Sequence, residues 1–110
     1  MSQVNLAWSA LFLAGAFEVG FTTAMALENE GKRWATVLFY LCIIASFALL
    51  QFAAKTIPLG IAYAVWTGIG AAGTLAVSTL IFRQPVSAMQ IALVVVLIGV
   101  VAGLKLTSAH

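Results

Sequence analysis

Charged residues are scarce in this chain of 110 residues, and aspartate is absent altogether. Only 7% of the residues are charged and 64% are hydrophobic, whereas roughly a quarter of the residues in a soluble domain are charged. So few polar side chains cannot cover the surface of a folded domain in water. The composition therefore excludes a soluble globular protein and indicates an integral membrane protein with a single domain by length.

Cysteine and basic residues are also rare, and each shortage excludes a structural or functional feature. Cys42 is the only cysteine, so no disulfide can form within the chain. Five basic residues and a formal net charge of +2 are too little for nucleic-acid binding. Residues 1–8 hold no basic residue, so we expect no secretory signal and a first apolar segment that is retained.

Long apolar runs are what the chain has instead. A bilayer core needs about 20 apolar residues per helix, and four runs of that length occur at about residues 6–27, 34–54, 61–82 and 88–104. The connections between them are short, so consecutive helices must be antiparallel neighbours. The sequence predicts an all-α integral membrane protein with four transmembrane helices in the lipid bilayer and no extramembrane domain.

Basic residues in the connections give almost no preferred orientation. Lys32, Arg33 and Arg83 lie on one side of the membrane, and Lys55, Lys105 and the α-amino group lie on the other. Either this weak preference is enough to give the chain one orientation in the membrane, or the chain inserts in both orientations. Insertion in both orientations would permit an antiparallel homodimer.

Glu18 lies near the middle of the first apolar run and has no cation near it in sequence. A carboxylate at that depth costs roughly 2.5–3.5 kcal/mol on insertion scales. It is either a protonated acid buried against a neighbouring helix or a carboxyl that binds protons and cations. Ala14, Gly15 and Thr22 share its helix face, and Thr22 either makes a local hydrogen bond or simply bonds the carbonyl of its own helix four residues earlier.

Three other polar or aromatic residues accompany Glu18 as candidates. Ser46 is the mid-helix hydroxyl of the second run, and it either bonds its own helix or donates to an ionised Glu18. Tyr63 and Trp66 share one face of the third run. Tyr63 alone could belong to an interfacial belt, but an aromatic face beside a carboxylate binds organic cations.

One copy of the chain is too small for the two inverted halves of a transporter, and no internal repeat is visible. Two copies of opposite orientation would place two Glu18 carboxyls in one cavity. Protons and a cation would then compete for the same pair, as an antiporter requires. Gly99 and Gly103 in the fourth run have the GxxxG spacing of close helix contacts and are the expected dimer contact.

These segments resemble the small multidrug resistance family of four-helix, proton-coupled exporters over essentially the whole chain. The resemblance is carried by residues 15–19, 45–47 and 55–70. The Lys-Thr-x-Pro start of the last segment and its Trp-Thr-Gly-Ile-Gly run look like the guanidinium-exporter branch. The resemblance implies an antiparallel dimer with alternating access, in which Glu18 is the shared substrate and proton site. It also implies that Ser46 is the hydrogen-bond partner of Glu18, that Trp66 lines the site and that Tyr63 is a gating or hydrogen-bonding residue.

The resemblance thus implies a multi-pass protein of the bacterial inner membrane that exports guanidinium or substituted guanidinium cations in exchange for protons. It implies no enzymatic activity, cofactor or metal. The alternatives are a broad exporter of quaternary ammonium and other drug cations, and a subunit that functions only in a heterodimeric transporter.

Two positions depart from the guanidinium-exporter pattern. Phe21 stands where that branch usually has tryptophan, and Ala26 stands where it usually has lysine. The charged connection at residues 28–33 also differs and is similar to subunits that work in heterodimeric pairs. The partner is therefore either a second copy or a paralogous subunit, and Phe21 predicts wider tolerance toward partly apolar guanidines.

Overall fold

The structure, a computed structural model, describes residues 2–107. In that range the regular structure consists of helices α1 (Gln3–Asn29), α2 (Ala35–Ala53), α3 (Leu59–Leu80) and α4 (Ala88–Leu106). All four are long and apolar enough to cross a membrane. The predicted all-α fold with four membrane-spanning helices is confirmed. The α-amino group counted in the charge balance lies outside the described residues.

Capping residues explain why the observed helix ends differ from the limits of the apolar runs. α1 begins near residue 3 rather than 6 because the Ser2 hydroxyl accepts a hydrogen bond from the Asn5 backbone N–H at 3.1 Å. Polar residues can therefore form its first turn, which a hydropathy run does not include. α4 begins where Ser87 and Gln90 form a reciprocal capping box. Pro58 precedes α3, where its missing N–H does least harm.

α1 is the central helix of the described bundle and packs against both α2 and α3. Large buried side chains, among them Leu11, Ile57 and Val65, fill the space where these three helices meet. Glu18 and Thr22 of α1 lie opposite Gly70 and Thr74 of α3, so these two helices run parallel, and α2 runs antiparallel to both. The polar site described below lies at the interface of α1 and α3.

α4 packs mainly on α3, and Val101 is its one buried residue in the described range. Val101 lies against Gly68, where an added Cβ would overlap its side chain. Most of the rest of α4 is exposed and apolar, a surface suited to lipid or to another helix. A Cβ added at Gly99 or Gly103 would meet open space. The GxxxG face is thus uncovered in one chain, and its role as a dimer contact stays a prediction.

Candidate functional site

Glu18 lies midway along α1, and its side chain rests directly on the backbone of α3. A Cβ added at Gly70 would overlap the Glu18 carboxylate, so the absence of a side chain at Gly70 makes room for the acid. Glu18 Oε1 is buried and has no hydrogen-bond partner among the described residues. A buried acceptor without a donor is costly, and it is the kind of group that a bound cation or proton satisfies.

The carboxylate faces a cleft of about 380 Å³ whose lining is mostly apolar but includes several polar side chains. The other lining residues are Thr22, Thr67, Gly70, Ala71, Thr74, Leu75, Ser78 and Gln84. Four hydroxyls and one amide therefore share the cleft with one acid. Such a cleft offers many hydrogen-bond acceptors but no basic side chain, so its chemistry suits a small cation with N–H donors.

Two threonines join α1 and α3 one turn beyond Glu18. The hydroxyls of Thr22 and Thr74 are 2.7 Å apart and form a hydrogen bond, and the Thr22 hydroxyl also lies 3.0 Å from the Val19 carbonyl oxygen. Thr22 thus bonds its own helix, at the carbonyl three rather than four residues earlier, and it also makes a bond across the cleft that the sequence did not predict. Thr74 was not among the residues that sequence reasoning selected.

Ser46 and Trp66 lie one turn before the level of Glu18. The Ser46 hydroxyl is fully buried and donates to the Ala14 carbonyl oxygen at 2.8 Å. It also accepts a hydrogen bond of 2.9 Å from the Trp66 indole N–H. Because a hydroxyl has one proton, this Ser46 cannot also donate to Glu18, and the expected Ser46–Glu18 bond is not formed in this structure. Ser46 instead links α1, α2 and α3 about one turn before the level of the acid.

The aromatic residues form a cluster at the side of α3 that faces α2. The ring centroid of Trp66 lies 5.1 Å from that of Phe47 and 5.7 Å from that of Tyr63. Trp66 is buried, whereas Tyr63 is 56% exposed and has room to contact a second subunit or lipid. Neither ring lines the Glu18 cleft of the single chain. Their contact with a bound cation stays a prediction.

Phe21, at the position that departs from the guanidinium-exporter pattern, packs on α2. Its ring makes an edge-to-face contact with Phe39 at a centroid distance of 6.0 Å. A phenyl ring has no N–H to donate, so it cannot supply the unpaired Glu18 Oε1 with a hydrogen bond. Ala26, the second departure, is partly buried near the end of α1.

Ser46→Ala should lower the stability of the bundle by about 1–3 kcal/mol, because it leaves the buried Trp66 N–H without its acceptor. Thermal unfolding of the purified protein in detergent measures this change. Ser9→Ala is the matched control, since Ser9 is an exposed serine of α1. Equal melting temperatures for the two variants would contradict a structural role for the Ser46 bonds.

Sequence reasoning missed the polar residues that α3 contributes to the cleft. Thr67, Thr74 and Ser78 are spaced seven and four residues apart, which places them on one helix face with Gly70. That spacing could have predicted that the three hydroxyls share a face. Gln84 lies beyond the end of the helix, so no spacing predicts its place in the cleft. Among residues 2–107 there is no group of three His, Cys, Asp or Glu side chains that could hold a metal ion.

Comparison with known proteins agrees with the resemblance drawn from the motifs. The family model described as Small Multidrug Resistance protein matches residues 6–98. A Bacillus licheniformis protein named "Probable guanidinium efflux system subunit GdnD" is 39% identical over 92% of this chain and 98% of its own length. "Probable guanidinium efflux system subunit GdnC" from the same organism is 33% identical over 92% and 91% of the two chains. The "Guanidinium exporter" of Salmonella typhimurium is 33% identical over 96% of this chain and its own whole length.

Proposed function

Because this chain belongs to the small multidrug resistance family, we propose that it exports guanidinium or substituted guanidinium cations in exchange for protons. Family membership and four membrane-spanning helices make it a multi-pass transporter of the bacterial inner membrane rather than an enzyme. The observation that carries the proposal is Glu18, a carboxylate with an unpaired buried oxygen in a hydroxyl-lined cleft.

The chemistry of Glu18 matches a guanidinium ion in charge and in shape. A planar guanidinium presents two parallel N–H groups to the two oxygens of a carboxylate. Binding would give the unpaired Oε1 a donor and would neutralise the acid within the bilayer. A quaternary ammonium ion would supply only the charge and would leave that oxygen without a hydrogen bond.

Exchange follows if protons and the cation compete for Glu18. The cation binds only the ionised carboxylate, so its arrival releases a proton. The dimer then opens to the other side, where a proton binds Glu18 and expels the cation. The cation and the proton therefore cross the membrane in opposite directions, because Glu18 holds only one of them at a time.

Alternating access in this scheme requires a second subunit. α4 exposes an apolar face, and its GxxxG glycines are uncovered in the single chain. Either a second copy in the opposite orientation or a paralogous subunit would cover this surface and complete the site. The second candidate function is therefore that of one subunit in a heterodimeric exporter, and the word "subunit" in the names of two relatives favours it.

Guanidinium concentration jumps should evoke capacitive currents from proteoliposomes, and the half-saturating concentration should rise as the pH falls. Protonation removes the negative charge that binds the cation, so the apparent affinity should weaken by up to about tenfold per pH unit where the site is mostly protonated. Solid-supported-membrane recordings on this chain alone, and on this chain with a paralogous subunit, measure both quantities.

A half-saturating concentration that stays constant between about pH 6 and pH 9 would contradict competition at one carboxylate. Currents from the chain alone support a homodimer. Currents that appear only after addition of a second subunit support the heterodimeric version. Currents with quaternary ammonium ions but none with guanidinium in either preparation would overturn the proposed substrate class.

A further inference from the structure

The hydroxyl pair of Thr22 and Thr74 has acceptor capacity that the protein itself does not use. The two hydroxyls lie 2.7 Å apart in the Glu18 cleft, and the Val19 carbonyl lies 3.0 Å from Thr22 Oγ1. Each hydroxyl has one proton and two lone pairs. If Thr22 donates to Val19, then Thr74 donates to Thr22, and both lone pairs of Thr74 Oγ1 remain free.

The reverse arrangement, with Thr22 donating to Thr74, still leaves one lone pair free on Thr74 Oγ1. A positively charged N–H donor in the cleft would favour the first arrangement, because Thr74 then presents only lone pairs to it. The acceptor of the Thr22 proton in this arrangement is the Val19 carbonyl oxygen, which also accepts a hydrogen bond of 2.7 Å from the Thr23 hydroxyl. Thr22 thus sets the direction in which Thr74 can hydrogen-bond.

The position of Thr74 along the helix places this acceptor within reach of a cation that is bound to Glu18. Thr22 follows Glu18 by four residues on α1, and Thr74 follows Gly70 by four residues on α3, so the pair stands about 6 Å along the helix axes from the Glu18 level. A guanidinium ion bound edge-on to the carboxylate has further N–H groups on its other edges. These donors lose their water when the ion enters the cleft and need a new acceptor.

We propose that Thr74, oriented by Thr22, is a specificity-determining residue that accepts an N–H from the cation held by Glu18. The pair thereby selects hydrogen-bonding cations of the guanidinium class over quaternary ammonium ions, which have no N–H to donate. This inference rests on the proposed function, because it concerns the same site. It adds a second contact to the substrate, at a residue whose role in selectivity can be tested separately from Glu18.

A purely structural reading assigns the pair only to holding α1 against α3. Both readings predict some loss of stability when the bond is removed, but only the proposed role predicts a change in the ratio of substrates. Thr74→Val keeps the branched shape and removes the acceptor, whereas Thr74→Ser keeps the acceptor and removes a methyl group. Thr79→Val is the matched control, because Thr79 lies on the same helix and lines the groove toward α4.

The experiment compares guanidinium with tetraethylammonium as substrates of the reconstituted transporter, using half-saturating concentrations from solid-supported-membrane currents. Thr74→Val should weaken guanidinium binding about tenfold and leave tetraethylammonium binding within about twofold of wild type. Thr22→Val should shift the ratio in the same direction by a smaller factor. Thr74→Ser and Thr79→Val should keep the wild-type ratio.

Two outcomes would overturn the inference, and they are distinguishable. If the wild type exports guanidinium and Thr74→Val weakens both cations equally, the pair is only structural and the proposed function stands. If the wild type exports tetraethylammonium but no guanidinium, the proposed function fails and the role of Thr74 fails with it. Should Thr74→Val not fold, the guanidinium-to-tetraethylammonium ratio of Thr22→Val decides the question.

Discussion

Glu18→Gln should abolish guanidinium-evoked current while leaving the protein folded and inserted. The amide has nearly the shape of the acid, but it has no charge for the cation and no proton to exchange. Its NH₂ group would also present donors to a substrate that has only donors. We expect the apparent affinity for guanidinium to fall by at least about a hundredfold, the scale for removing one member of a buried charge pair.

Glu28→Gln is the matched control for this substitution, because it makes the same change on the same helix. Glu28 is exposed near the end of α1, where its carboxylate accepts a hydrogen bond from the Thr36 hydroxyl. Its loss should leave the current within about twofold of wild type, since exposed polar contacts contribute little. An undiminished current from Glu18→Gln, with thermal unfolding unchanged, would remove Glu18 from the transport site.

The four helices could be predicted from the sequence because the bilayer demands long, apolar, internally hydrogen-bonded segments. The ends of the helices are harder to predict, because they depend on capping residues such as Ser2 rather than on hydropathy. Glu18 also stood out from sequence alone, because an acid in an apolar helix has few explanations. For the four helices and for Glu18, a strong local constraint made the structure predictable from the sequence.

Which residues lie next to Glu18 depends on the alignment of α1 with α3, and no local sequence pattern predicts that alignment. A shift of one turn would bring Trp66 rather than Gly70 opposite the acid. The same dependence explains Ser46, whose proton goes to the Ala14 carbonyl and whose lone pair accepts from Trp66. The spacing of Thr74 places it on a polar face of α3, but only the contact with Thr22 shows that this face meets α1 beside the acid. The register of two helices, not the residue types, decides these roles.

Gly70→Ala should reduce guanidinium transport by about a hundredfold, because the new Cβ would occupy the space that now holds the Glu18 carboxylate. Either the carboxylate or α3 must shift, and both shifts misplace the groups that we propose to bind the cation. Overpacking at this interface should also lower the stability by about 1–3 kcal/mol. Current recordings and thermal unfolding in detergent together measure the two effects.

Gly73→Ala separates the effect on the acid from the effect on packing. A Cβ at Gly73 would overlap the Val19 side chain at the same interface, so a similar loss of stability is expected without contact with the carboxylate. A Cβ at Gly60, in the first turn of α3, would meet open space, and Gly60→Ala should change neither quantity for the worse. If Gly70→Ala and Gly73→Ala lose transport to the same extent, tight packing of α1 on α3 is what transport requires. A much larger loss for Gly70→Ala would mean that Gly70 sets the position of the Glu18 carboxylate.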